Sequence, residues 1–230
     1  MNEPIAYPYV ATPRFCKWVH RARSQAAETL AEVMIALVVL AVGATGATTL
    51  IHSSISANAE NKQQIEAYNF AREGVEAVRN IRDTNWLRFP GNREECWDVT
   101  LETTDPTACT DVGIEKIGKA DPGTEYVIYP QLDEDVGAAT DLFSWKLKKV
   151  PGDTSDTVIY EYQFGTSILY VNNPEGVMGT FNATPYSRTT TVVRDTDAEG
   201  NETMIVSCTV TWQFKNRTKS VTFTSELTNY

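Results

Sequence analysis

The sequence predicts an α+β protein: one long N-terminal helix, transmembrane in its first half and amphipathic in its second, packed on a C-terminal antiparallel β-sheet. Three observations predict this. No proline occurs between Pro13 and Pro90, and within that interval Val33 to Ile51 runs without a charged residue. Past it, Ile65, Tyr68, Ala71, Val75, Val78 and Ile81 recur at steps of three and four, the period of one helix face. From Phe143 onward the apolar period changes to two, the period of a half-buried strand.

Residues 1–27 form a basic leader. Pro4, Pro8 and Pro13 argue against regular structure there, and Arg14, Lys17, Arg21 and Arg23 supply its charge. The helix is expected over 28–84, roughly 80 Å at 1.5 Å per residue. Its part 33–51 is about as long as a bilayer span, which takes roughly 20 apolar residues. Basic residues ahead of the span and an acidic body behind it place the N-terminus in the cytoplasm and the body outside. An ordinary secretory signal is the rival, but its apolar core is shorter and ends at a small-residue cleavage site. Here Ala44, Gly46 and Ala47 lead into more helix. Gly43 and Gly46 each cost up to about 1 kcal/mol of helix propensity; they either let the helix bend or let another helix approach closely. In the second half, Arg72/Glu76 and Arg79/Asp83 are i,i+4 pairs, each worth a few tenths of a kcal/mol at most.

Pro90-Gly91 ends the helix. Residues 85–140, rich in Asp, Thr, Gly and Pro, read as an irregular connection in which only Glu125 to Pro130 looks like a strand. Cys96 and Cys109 close a short loop there. In an exported protein that pair reads as a disulfide, worth about 3 kcal/mol in the chain-entropy model. The spacing does not suit a zinc ribbon, and no histidine accompanies it. Residues 141–230 form the sheet. Phe143, Trp145 and Leu147 alternate with polar residues, as do Val158, Tyr160, Tyr162 and Phe164. Met204, Val206, Cys208, Val210, Trp212 and Phe214 make one face, and Val221 and Phe223 follow in the last strand. Asp197–Asn201 and Asn216–Thr218 read as hairpin turns. The apolar sheet face and the apolar helix stripe each need a cover and fit each other. Cys208, on that inward face, reads as a buried free thiol.

The chain of 230 residues carries 20 basic and 30 acidic residues, a net charge of −10. That balance argues against general affinity for nucleic acid or anionic surfaces. His20 and His52 are the only histidines, one in the leader and one at the membrane edge. A Ser/His/Asp or Cys/His nucleophile set therefore cannot be built in the body, nor a metal site with histidine ligands. No phosphate-cradling or nucleophile-elbow motif occurs, and no cofactor is implied. The acids from Asp195 to Glu202 fail the spacing of a calcium loop and suit a solvated hairpin tip. A carboxylate pair for glycoside hydrolysis stays open, because the acids are many and their separation in space does not follow from their order.

The joint Ala27-Glu28-Thr29-Leu30-Ala31-Glu32, between the basic leader and the apolar run, resembles the processing site of type IV pilins and the pseudopilins of type II secretion. The family pattern is a basic leader, a small residue that is normally Gly, then an aromatic residue or Met, then Thr, Leu, an apolar residue, Glu and about twenty apolar residues. Thr29, Leu30 and Glu32 fall in register, with Ala31 in the variable place. Ala27 stands where Gly is usual and Glu28 where Phe or Met is usual. The run from Arg188 to the C-terminus also looks like the end of minor pilins.

The resemblance implies a processing site at Ala27 and Glu28. A membrane prepilin peptidase cuts between them and methylates the new Glu28 amine, and Cys16 departs with the leader. It implies that Thr29, Leu30 and Glu32 serve assembly, with Glu32 pairing to the N-terminal amine of a neighbouring subunit. A carboxylate at the edge of hydrocarbon is costly and needs such a partner; the bland alternative is an acid favoured near a helix N-terminus. The expected function is that of a structural subunit, a minor pilin or pseudopilin, partnered by the peptidase, by other pilin subunits and, before assembly, by the inner membrane. The alternative is a membrane-anchored extracellular binding domain that never polymerises.

Overall fold

A computed structural model describes residues 16–100, 109, 116–118, 123–132, 143–150, 154–164, 167–172, 181–196 and 200–229. The chain divides into two compact units, Met1–Ala59 and Glu60–Tyr230. Helix α1 runs over Cys16–Arg88 and contributes to both. It begins twelve residues before the expected start at 28, because nothing after Pro13 interrupts helical backbone. Pro4, Pro8 and Pro13 lie outside the described residues.

In the first unit every side chain from Thr29 to Ile55 is exposed. The threonines within the apolar run satisfy their own hydroxyls. Thr45 donates to the Val42 carbonyl at 3.0 Å, Thr48 to Thr45 at 2.9 Å and Thr49 to Gly46 at 2.8 Å. Each hydroxyl is thereby paired within the helix, which lets these residues sit in an apolar surrounding without an unpaired donor.

Among the described residues the second unit holds the rest of α1, a short helix α2 (Arg93–Cys96) and seven strands: β1 Glu125–Leu132, β2 Phe143–Lys149, β3 Val158–Phe164, β4 Ser167–Asn172, β5 Phe181–Thr196, β6 Glu202–Phe214 and β7 Arg217–Thr228. All pairings are antiparallel. β5, the longest strand, is central. One edge pairs β6 from Tyr186↔Trp212 to Thr196↔Glu202. The other edge is shared: β3 takes its N-terminal half at Phe181–Ser187, and β1 takes Thr190 and Thr191. β1 carries β2, β3 carries β4 and β6 carries β7. β1 is the strand expected at 125–130, and through β5 it joins the same sheet as the C-terminal hairpins.

Tyr186, Thr190 and Val192 of β5 face inward with Met204, Val206, Cys208, Val210 and Trp212 of β6. Helix α1 covers them with Ala67, Phe70, Ala71, Val75, Ala77, Val78 and Ile81. This corrects the expected helix stripe at its start. Ile65 is 62% exposed and Tyr68 43% exposed, while Ala67, Phe70 and Gly74 lie inside. The reason is distance: the helix approaches the sheet through small residues, which a count of bulky side chains overlooks. A Cβ on Gly74 would lie 2.3 Å from Cys208 Sγ. Tyr68 instead sets its ring edge-on to Phe223 at 5.7 Å.

Gly74→Ala is accordingly expected to lower stability by about 1–3 kcal/mol through overpacking, despite alanine's better helix propensity. Adding Cys208→Ala should recover part of that loss, giving a favourable coupling of about 1 kcal/mol in a double-mutant cycle. Thermal melts of the four variants measure it; strictly additive losses would show that the two positions do not touch.

Two further corrections concern the strands. Ile159, and neither Val158 nor Tyr160, enters the main core, because a register shift between Val158 and Tyr160 breaks the period of two. The last hairpin turns on Lys215 and Asn216, with φ of 48° and 61°, so Arg217 and Thr218 already belong to β7. Both central residues at positive φ is the geometry of a two-residue type I′ turn. Of the expected turn at 197–201, residues 197–199 lie outside the described residues, and Gly200 takes φ of 90°.

Candidate functional site

The expected processing and assembly residues lie on one continuous helix. Ala27 and Glu28 fall within the helical backbone of α1. Thr29, Leu30 and Glu32 follow on the same helix, all exposed, Leu30 by 64%. Behind them Val33, Met34, Ile35, Leu37, Val38, Val39, Leu40 and Val42 are exposed as well, on every side of the helix. The helix is long and apolar enough to cross a membrane. An apolar surface of this extent cannot face water without association. It needs lipid or other apolar helices, and these are similar environments for it. What the segment can do chemically is therefore partition and pack; its only acid between Thr29 and Ala59 is Glu32, at its head.

The second unit holds its own part of α1 against the sheet through polar contacts that hydropathy does not reveal. Arg188 of β5 is 1% exposed beneath the helix. Its Nε donates to Asn172 Oδ1 at 2.8 Å, and its Nη1 reaches Glu73 Oε2 at 3.3 Å and the Phe70 carbonyl at 3.4 Å. Asn172 in turn donates to the Thr157 carbonyl at 2.8 Å. Burial pushes the Glu73 carboxyl above the usual carboxylate range, and Arg188 opposes that shift. Tyr186 donates to Glu66 Oε2 at 2.7 Å, and burial together with Glu66 holds its phenol protonated well above the ordinary range. Lys219 of β7 meets Glu60 at 2.7 Å. Burial raises the Cys208 thiol, so this free cysteine is a packed apolar group.

Cys96 and Cys109 are joined by a disulfide, with Cα atoms 5.4 Å apart. They share a small apolar cluster with Phe89 and Val99. Asn85, buried at the end of α1, donates to the Trp97 and Val99 carbonyls at 3.2 and 2.9 Å. Buried Asp98 pairs with Arg194 of β5, whose Nε also donates to the Ile117 carbonyl at 3.1 Å. The loop is thus fixed to the sheet by an ion pair as well as closed by its disulfide. Sequence reasoning missed Arg188, Glu73, Asn172 and the Asp98–Arg194 pair. The only signal for Arg188 was its place in register with Thr190 and Val192, two residues and four residues on.

Residues 22–48 match the family model described as the prokaryotic N-terminal methylation motif. No curated protein and no solved structure gives a significant match. The matched segment contains Ala27, Glu28, Thr29, Leu30 and Glu32 together with most of the apolar run. At its N-terminus the chain carries the type IV pilin and pseudopilin signature.

Proposed function

We propose that the chain is a structural subunit, a minor pilin or pseudopilin, of a type IV pilus-like filament. The observation that carries this reading is the methylation motif at the head of a helix whose apolar surface is exposed all round from Thr29 to Ile55. The precursor inserts with its leader in the cytoplasm and its sheet outside. Prepilin peptidase cuts between Ala27 and Glu28 and methylates the Glu28 amine. The helix stores the subunit in the inner membrane, then packs with the helices of other subunits. That transfer costs little, because the bilayer interior and a bundle of apolar helices solvate the same surface alike. The role is assembly, not catalysis, and the acidic body leaves nucleic acid out of its contacts.

The pair Ala27-Glu28, where the family has Gly followed by Phe or Met, favours a second reading: an uncleaved anchor holding a binding domain that never polymerises. Shearing filaments from cells that make the chain separates the two. A filament subunit is found in the sheared fraction at its processed mass. An anchored domain stays entirely with the membranes.

A further inference from the structure

We propose that the β6–β7 turn, with Lys215, Arg217 and Lys219, docks the sheet domain on the phosphate groups of anionic phospholipids while the subunit is held in the membrane. This rests on the membrane-anchored reading above.

The charge pattern is the first support. Four of the 20 basic residues and one of the 30 acids precede Glu28, which leaves 16 bases against 29 acids in the remainder. Against that excess, Thr203 to Ser225 contains no acid, and its three bases all lie in five residues, Lys215 to Lys219. The turn is also built as a firm platform. β6 and β7 pair without a register break from Thr203↔Thr228 to Phe214↔Arg217, and the type I′ turn closes the ladder. Lys215, Asn216, Arg217 and Thr218 are all exposed. Arg217 and Lys219, two apart on one strand, project to the same side. The three cations converge closely enough to hold the Glu60 carboxyl below its usual range, Lys219 through its hydrogen bond and Lys215 and Arg217 by charge.

The second support is the tether. Lys219 touches Glu60, and Glu60 is nine residues beyond Ile51, where the apolar run ends. Nine residues span roughly 13 Å as helix and at most about 32 Å fully extended. Whatever path the chain takes, the backbone of Glu60 stays within about 32 Å of the end of the apolar run. The far end of the same hairpin carries Glu202, at the start of β6, and Glu226, near the end of β7, both exposed. Twelve residues of strand separate Glu202 from Phe214, about 40 Å. An anionic bilayer attracts one end of the hairpin and repels the other. The docked domain would be released when the subunit leaves the membrane, so the lysine-arginine turn adds to the cost of extraction.

The test uses the full chain in vesicles of phosphatidylcholine alone and of phosphatidylcholine with one quarter phosphatidylglycerol. Amine-labelling rates at Lys215 and Lys219 are read by mass spectrometry, with exposed Lys149 of β2 as the reference. Each cation near an anionic surface is worth about fivefold in binding. Labelling of Lys215 and Lys219 should therefore slow about fivefold or more with phosphatidylglycerol, while Lys149 is unchanged. About 0.5 M salt should abolish the difference, and Arg217→Gln should reduce it severalfold. Equal rates in the two vesicles would overturn the proposal. So would protection that is independent of lipid charge and rises with protein density, which would assign the turn to a second copy of the chain. Flotation of the protein with phosphatidylcholine vesicles is scored in the same samples. Floating protein without charge-dependent protection sinks the lipid dock alone, whereas protein that does not float sinks the anchored reading as well.

Discussion

Glu32→Ala is expected to leave the protein in the membrane and, on the filament-subunit reading, to abolish its incorporation into filaments. Insertion depends on the uncharged run from Val33 to Ile51, which the substitution does not touch. Removing a carboxylate from the head of an apolar helix makes insertion easier, since such a group at the helix centre costs roughly 2.5–3.5 kcal/mol on insertion scales and less toward the edge. Assembly is different. Once helices pack together, hydrophobicity no longer distinguishes the bundle from lipid, so packing and specific polar pairs must fix the register. Glu32 is the only acid the helix carries between Thr29 and Ala59. Paired with a neighbour's N-terminal amine at about 4 Å, it would be worth about 4 kcal/mol at an effective dielectric of 20. Membrane fractionation and the sheared-filament fraction report the two steps separately. Normal incorporation of the variant would remove the pairing role from Glu32.

Arg188→Met destabilises the sheet domain by about 1–3 kcal/mol, the usual penalty for leaving buried hydrogen-bond partners unsatisfied, because the Glu73 side chain it strands is about one third exposed. The guanidinium links β5 to β4 through Asn172 and to α1 through Glu73 and the Phe70 carbonyl. Methionine fills part of the volume but leaves Glu73 facing the sheet without its cation. Replacing Glu73 by Leu in the same variant should recover much of the loss, because an apolar pair needs no desolvation. The single variant also gains a pH dependence. Burial already raises the Glu73 pKa, and Arg188 is what restrains it. A carboxyl whose folded pKa is raised contributes stability below its unfolded pKa and loses it as pH rises through the folded one. The deficit of Arg188→Met is therefore largest near neutral pH and narrows as pH falls into the raised Glu73 range. Melting temperatures against pH, with the wild-type chain alongside, measure this; a deficit that does not change with pH would contradict it.

The long helix and the β5–β6–β7 hairpins were legible in the sequence because each has a clean signature. A proline-free interval with an uncharged core gives the helix, and strict alternation from Met204 to Phe214 gives the central strand pair. The helix stripe held from Ala71 to Ile81 and was misplaced only at its start, where Ala67 and Phe70 face the sheet in place of Ile65 and Tyr68, and Gly74 makes a close backbone approach that hydropathy does not reveal. The β3 face was misread because a register shift at Val158/Tyr160 turns Ile159 inward. β4 carried no clear signal, and the sharing of one β5 edge between β1 and β3 is a long-range property that no local window contains. Arg188 was hidden for the same reason: Glu73, the partner that makes its burial tolerable, lies 115 residues away. The methylation motif was legible because its parts are adjacent in the chain and its recognition depends on order rather than on folding.

The central claim, that the chain is a processed filament subunit, is tested most directly by the N-terminus of the protein extracted from membranes. Intact mass with N-terminal sequencing should find N-methylated Glu28 as the first residue, the leader 1–27 gone and the Cys96–Cys109 disulfide retained. Recovery of a chain that still begins at Met1 would contradict the account and leave an uncleaved anchor in its place.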